Sequence, residues 1–252
     1  MQRYFMKEKD FESADALIRV PDEHYHHMVN VMRMKIGDEC YFVYSEGQTW
    51  RVKVREVTPE CVFVSKEEFI TKSSEMPVDV TLFCGFPKGD KLEWITQKAT
   101  ELGAFEIIGF PAKTSVVKWN DKKRLAKEQR LTKIATEAAE QSHRQRVPSI
   151  TLLSDTKELI QRVAEYDVVL VAYEESAKQG EMTQLSRTLN QLEVGMRVAC
   201  VFGPEGGLTP QEVQQLTETG ALACGLGPRI LRTETAPLYL LSAISYQLEM
   251  QG

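Results

Sequence analysis

Two loops hold the residue types from which a small-molecule site can be built. In CVFGPEGGLTPQE an apolar run ends in Gly203, Pro204, Glu205, Gly206 and Gly207, and a helix then opens. Thr209 suits its N-cap, Pro210 its first position, and Glu212 completes a capping box. Glycines at such a strand end let backbone approach a ligand closely, and ligands of open α/β sheets collect there. The spacing is neither G-x-x-x-x-G-K-[ST] nor G-x-G-x-x-G, which disfavours an NTPase or an ordinary dinucleotide site. Glu205 would repel a phosphate, so a neutral or cationic ligand is expected. The second loop, LGPRILRTETA, sets Leu226, Gly227, Ile230 and Leu231 before a polar quartet, Arg232 to Thr235, at the mouth of an apolar helix from Ala236 to about Met250. That helix is apolar almost all round, so it is expected to pack on its own sheet and on a partner subunit, with the quartet at the boundary.

Other reactive side chains point to less. Cys40, Cys61, Cys84, Cys200 and Cys224 sit among apolar neighbours and never approach C-x-x-C spacing; buried free thiols are expected. His24, His26 and His27 are too loosely patterned for a metal site, so none is expected. His143 has no visible partner.

The elements that must position the two loops fall into two textures. Up to about residue 70 the chain reads as β-structure, with ECYFV, TWRVKVREV and ECVFVSKEEF as strands of a short barrel. Before them, EHYHHMVNVMRMKIGD has helical spacing at Met28, Val31 and Met32. ITKSSEMP reads as a linker. Beyond it, strands alternate with helices: VDVTLFCGF, then DKLEWITQKATELG with Asp90 as N-cap and Glu93 at the third position, FEIIGFPA, a helix over 121–142 with Leu131, Ile134, Ala135 and Ala138 inward, YDVVLVAYE and MRVACVFG. Continuously apolar strands of this kind are buried on both faces of a parallel sheet. A barrel over 1–72 and an α/β domain over 74–252 are expected.

Net charge is −5, which gives no global sign of nucleic acid. Residues 113–146, however, hold ten Lys or Arg against four acids. A basic patch on an acidic chain can draw a polyanion to one face. The N-terminal MQRYFMKEKDFESAD lacks the apolar core of a signal peptide and no run reaches ~20 apolar residues; a cytoplasmic protein is expected.

KGDKLEWITQKATELG, EAAEQSHRQRVP, FGPEGGLTPQE and LGPRILRTETA, in this order, resemble the bacterial 16S ribosomal RNA uridine-N3 methyltransferases of the RsmE family, and RYF and HHMVNVMRMKIGDE fit it too. The resemblance covers nearly the whole chain. It implies a PUA-like β-barrel, RNA-binding, before a SPOUT-class α/β methyltransferase domain with a trefoil knot, a homodimer, S-adenosylmethionine as methyl donor, and 16S rRNA, within the 30S subunit, as partner. By similarity the adenosyl part is bound by the loops Gly203 to Gly207 (Gly203, Pro204, Glu205, Gly206, Gly207) and Leu226 to Leu231 (Leu226, Gly227, Ile230 and Leu231 above all) and by Thr235, with the stretch around Leu170 to Glu174 (Leu170, Val171 and Glu174 among it) as a third wall. Arg232 would stabilise negative charge on the uracil oxygens, and Glu234 would accept the N3 proton or orient Arg232. Arg3, Arg33, Arg51, Arg55, Lys113, Lys122, Arg144 and Arg146 are the candidates for RNA contact, and Trp50 and Trp119 for stacking. A SPOUT enzyme acting on transfer RNA or another ribosomal site, a non-catalytic RNA-binding factor and a Rossmann oxidoreductase rank behind this reading, the last because its fingerprint is missing.

Overall fold

The computed structural model describes residues 1–7, 17–44, 47–173 and 183–251. Two units share the chain: residues 1–75 with 139–146, and residues 76–138 with 147–252.

In the first unit, β1 (Arg3–Phe5), β2 (Ile18–Arg19), β3 (Glu39–Val43), β4 (Thr49–Val57) and β5 (Val62–Ile70) form one sheet in the order β1-β3-β4-β5-β2. Alternation along β4 turns Val52 and Val54 inward, both fully buried, with Cys40, Phe42, Val62 and Val64. The helix expected around His24 is a short α1 (Asp22–His26) that widens into a π-helical turn, His27–Val31. Met28 is buried, but Val31 and Met32 are exposed, against their helical spacing. Arg33, at φ 53°, turns the chain away there. His24 and His27 meet Phe5 O at 3.0 Å and the Tyr4 hydroxyl at 3.1 Å.

The second unit is a six-stranded parallel sheet: β6 (Asp79–Gly85), β7 (Glu106–Phe110), β8 (Ser149–Leu152), β9 (Val168–Ala172), β10 (Arg197–Phe202) and β11 (Leu222–Cys224), in the order β11-β9-β10-β6-β7-β8. Alternate residues serve two cores. Leu82, Cys84, Leu170, Cys200 and Phe202 face α2 (Lys91–Glu101), Leu131 of α3 (Asp121–Gln141), α5 (Thr183–Leu189) and α7 (Ala236–Ser245). Phe83, Ile108, Val171 and Val201 face α4 (Thr156–Val163) and α6 (Pro210–Glu218). Sheet order reverses beside β6: β7 and β8 extend one way, and β10, β9 and β11 the other. Crevices at such switch points, beyond the carboxyl ends of the strands, are where α/β sheets bind ligands.

Two local expectations change. Asp90 stands at the start of α2 but makes no side-chain cap; Glu93, expected to complete it, instead takes a bidentate pair from Arg130, both bonds 2.7 Å. On α7, Pro237, Leu240, Leu241 and Ile244 are buried, yet Tyr239 is exposed, as are Tyr246 and Met250 in the π-helical turn that follows. The helix is thus apolar all round but covered on one side. All five cysteines are free; Cys40, Cys84, Cys200 and Cys224 are buried, while Cys61 is half-buried. Burial alone pushes the Cys84 thiol up to about 12, so it is protonated at neutral pH. Among the described residues no helix is long and apolar enough to cross a membrane.

Candidate active site

The carboxyl ends of β9, β10 and β11 and the start of α2 enclose a cavity of about 620 Å³, within the size range of small-molecule sites. The loop after β10 forms one wall and is tightly folded. A Cβ on Gly203 would lie 2.6 Å from the carbonyl carbon of Gly207 and 2.7 Å from Leu208 N; one on Gly85, at the end of β6, would lie 2.5 Å from Pro204 Cδ. The expected capping box forms: the Glu212 carboxylate accepts from Thr209 N at 2.8 Å. Its other oxygen accepts from Lys113 N, also at 2.8 Å, and the Thr114 hydroxyl donates to Gly207 O. The glycine loop is therefore held on both flanks before any ligand arrives.

The loop after β11 forms the opposite wall. Leu226, Gly227, Ile230, Leu231, Arg232 and Thr233 line the cavity. The Arg232 carbonyl accepts from Thr235 N at 2.8 Å and Ala236 N at 3.0 Å. This satisfies the first turn of α7, whose N-cap Thr235 makes no side-chain cap. The polar quartet thus starts the helix through its backbone and leaves the Arg232 side chain at the cavity.

Lys91, at the first position of α2, ties the walls together. Its Nζ lies 2.9 Å from Glu205 Oε1 and 3.4 Å from Glu234 Oε2, an oxygen that is buried and has no hydrogen bond. Lys88 N also donates to Glu205 Oε1, at 3.1 Å. Burial would raise the Glu205 carboxyl, but the hydrogen bonds from Lys91, its own backbone and Lys88 N outweigh it and hold the group below its ordinary value. The hydrogen bond to Glu205 correspondingly raises Lys91, against partial desolvation. Glu205 therefore does not stand as an open charge that would repel phosphate. It is neutralised within the wall, and ligand sign is set by the whole group of Lys91, Arg232, Glu205 and Glu234.

The structure assembles Gly203 to Gly207, Leu226, Gly227, Ile230, Leu231 and Arg232 around one cavity. Glu234 meets it through Lys91. Of the stretch from Leu170 to Glu174 expected to form the third wall, Ala172 and Tyr173 line the cavity, while Leu170 and Val171 are fully buried inside β9. Thr235 lies outside the lining, and Thr233 and Ala236 stand in its stead. Glu174 is outside the described residues. Sequence reasoning missed Lys91, Phe202 and Leu208; Lys91 sits within a quoted motif, but nothing in the chain order connects it to Glu205 and Glu234.

Residues 74–245 match the RNA methyltransferase domain family, and residues 20–67 the RNA methyltransferase PUA domain. The chain is 48% identical over 252 residues to the ribosomal RNA small subunit methyltransferase E of Bacillus subtilis, spanning 99% of this chain and 98% of that one. The chain belongs to the ribosomal RNA small subunit methyltransferase E family. Solved structures agree. The Neisseria gonorrhoeae ribosomal RNA small subunit methyltransferase E, bound to S-adenosyl methionine, superposes with a TM-score of 0.76 at 26% identity, covering 98% of this chain and 97% of that one. A Legionella pneumophila protein with its cofactor SAM bound gives 0.81 at 25% identity, covering 96% of each. This family member is therefore a mixed α/β RNA methyltransferase with a PUA-like N-terminal domain, and S-adenosylmethionine is its methyl donor.

Its expected RNA-contact residues divide sharply. Arg3 and Arg144 are buried: an Arg3 Nη1 donates to Arg144 O at 2.9 Å, and Arg144 pairs with Glu75. Neither can reach a phosphate without unfolding its surroundings. Arg51 bonds Glu39 and Glu68, and Arg55 bonds Ser65 and Glu67. Lys113 donates to the Gln211 side chain. Arg33, Lys122 and Arg146 are exposed. Of the two tryptophans, Trp50 meets Phe69 edge-on, and Trp119 stacks on Phe86 at 4.2 Å.

Proposed function

We propose that the protein transfers a methyl group from S-adenosylmethionine to uracil N3 of one uridine in 16S rRNA of the small ribosomal subunit, in the cytoplasm and as a homodimer with the knotted topology expected of the SPOUT class. The observation that carries this is the cavity where Lys91, Glu205, Glu234 and Arg232 converge between two glycine loops, at the switch point of the parallel sheet. The cavity fits the cofactor: Phe202, Leu208, Leu226 and Leu231 offer apolar walls, and the backbone is packed tightly at Gly203 and Gly206, where a Cβ would clash. When bound, S-adenosylmethionine supplies an electrophilic methyl carbon on a sulfonium.

The chain's own residues do the rest. Uracil N3 carries a proton at neutral pH, so its lone pair can attack carbon only as that proton leaves. The Arg232 guanidinium stabilises the negative charge this places on the flanking oxygens. Glu234 takes the proton or holds Arg232 in position; Lys91 fixes its carboxylate at the cavity edge. The N3–C bond forms as the S–C bond breaks, and its electron pair stays on sulfur. Two copies pair through the exposed apolar side of α7 and its extension, where Tyr239, Tyr246 and Met250 lie open in the single chain.

The test is methyl transfer from labelled S-adenosylmethionine to small subunits from cells lacking the protein, followed by nucleoside analysis, with Arg232→Ala alongside. N3-methyluridine with wild type, lost in the variant, is expected. Transfer to transfer RNA instead would move the target, and no cofactor binding would overturn the reading.

A further inference from the structure

The first unit contains a second hollow, about 420 Å³, at the ends of β4 and β5. Its floor is a buried polar network. The Gln145 side chain accepts from Ser74 N at 3.3 Å and donates to the Thr49 hydroxyl at 3.1 Å. Gln145 N donates to Glu75 at 2.7 Å, and Glu75 also receives Arg144, which is 3% exposed. Burying an ion pair and an amide is costly unless every group is satisfied. Here the expense gives no apolar packing but a rigid base.

The segment reaches this base through a strained turn. α3 ends with His143 in the left-handed region at φ 60°, and Arg144 N donates to Ala139 O at 2.9 Å. This helix stop normally uses glycine; a histidine there stores strain of the kind that gathers at functional sites. It places Gln145 in the floor and Arg146, exposed, at the rim.

The side wall is Phe69, 45% exposed and steadied by an edge contact with Trp50 at 5.2 Å. Thr71 and Ser73, both bearing hydroxyls, line the hollow with it. Glu75 does not make the hollow anionic, because Arg144 balances it. A solvent-facing ring, hydroxyl-bearing side chains in the lining and an arginine at the rim are what a splayed-out base with its phosphate requires. A duplex, whose bases are already stacked, would gain nothing from the ring.

We propose that this hollow binds one unpaired nucleotide of the RNA substrate, its base against Phe69 and its phosphate on Arg146. The proposal rests on the RNA methyltransferase reading above, and binding separates the two. Full-length protein, Phe69→Leu, Phe69→Trp and Arg146→Gln are titrated against a labelled unstructured RNA, a blunt RNA duplex and S-adenosylmethionine. Methyl transfer to unmodified small subunits is measured in parallel. Phe69→Leu and Arg146→Gln each weaken single-stranded RNA binding and raise KM for subunits roughly ten-fold, as expected for loss of one stacked base or its phosphate anchor. Phe69→Trp keeps both near wild type, which excludes misfolding as the cause; duplex and cofactor affinities do not move.

Unchanged single-strand affinity in both variants overturns the proposal. So does a rise in subunit KM with unchanged affinity for free RNA, which would mean that the hollow reads a ribosomal protein. Failure of wild type to methylate any RNA would fell the enzymatic reading, while the binding arm would still decide the hollow.

Discussion

Lys91→Met is the perturbation that most directly questions the site. It keeps the length and apolar stem of the side chain and removes the ammonium that lies 2.9 Å from Glu205 and 3.4 Å from Glu234. All three side chains are a fifth to a third exposed, so solvent screens the pairs well below a buried bridge. About 1 kcal/mol for each contact, or about 2 kcal/mol together, is the appropriate size. The cost falls on loop arrangement: without the cation, two carboxylates on facing loops repel across the gap. At about 1.4 kcal/mol per factor of ten, cofactor affinity should fall by roughly 30-fold. Titration calorimetry with S-adenosylmethionine measures this directly, and steady-state methyl transfer separates KM from kcat. Lys91→Arg should recover part of the loss, because its guanidinium can still bridge the two acids. Cofactor affinity within about two-fold of wild type in Lys91→Met would refute the reasoning, since two contacts of the assumed strength cannot vanish so cheaply.

The same bridge sets a pH window. The folded Glu205 carboxyl lies below its ordinary value, so its contribution is present above that value and is lost as pH falls through the depressed one. Lys91 is raised, so its contribution is complete below about 10.4 and fades only above it. Cofactor binding should therefore stay level across neutral pH and weaken below about pH 4, and Glu205→Gln should flatten that acid limb in calorimetry. Arg144→Met leaves the Glu75 carboxylate without its guanidinium partner. Unfolding of the first unit in urea should show a loss of about 3 kcal/mol, whereas Arg55→Met, on an exposed pair, should cost far less. Gly203→Ala drives a methyl group into the backbone of Gly207 and Leu208; cofactor binding should be lost with little change in thermal midpoint, because the loop opens while the sheet stays intact. Tyr246→Asp should shift sedimentation to the monomer at micromolar concentration, by placing a charge on the open apolar side of α7.

How much of this was legible in the chain depended on the range of the interaction. Local rules worked where one segment satisfies itself: Thr209, Pro210 and Glu212 cap α6 as read, and the alternation in TWRVKVREV buries Val52 and Val54. They failed where a distant partner outbid a local one. Glu93 had the right spacing to cap α2, but a bidentate arginine from α3 engages it instead. Arg144 reads as a surface cation in SHRQRVP, yet Glu75, far away in sequence, draws it into a buried pair. The two glycine loops were visible because their residue types are unusual in themselves. Lys91 was invisible because an ordinary lysine at a helix start becomes informative only when β10 and β11 bring Glu205 and Glu234 to it.

This contrast bears on how the basic face should be read. Ten cations between residues 113 and 146 suggest an electrostatic stripe, but many of their charges are already answered. Arg130 holds Glu93, Arg144 holds Glu75, Arg124 meets Asp121, and Lys127 lies over the Trp119 ring. A charge bound in this way contributes to the field but cannot follow a phosphate without giving up its partner. On the reading proposed above, substrate attraction and substrate contact would be carried by different residues: the paired cations would supply the long-range, salt-screened pull, and exposed ones such as Lys122 and Arg33 would make the contacts. Neutralising a paired cation should slow association chiefly at low salt, whereas removing the exposed Lys122 should hasten dissociation at any salt. Stopped-flow association and chase experiments on labelled RNA separate the two, and equal effects on both rates would show that the pairs open on binding.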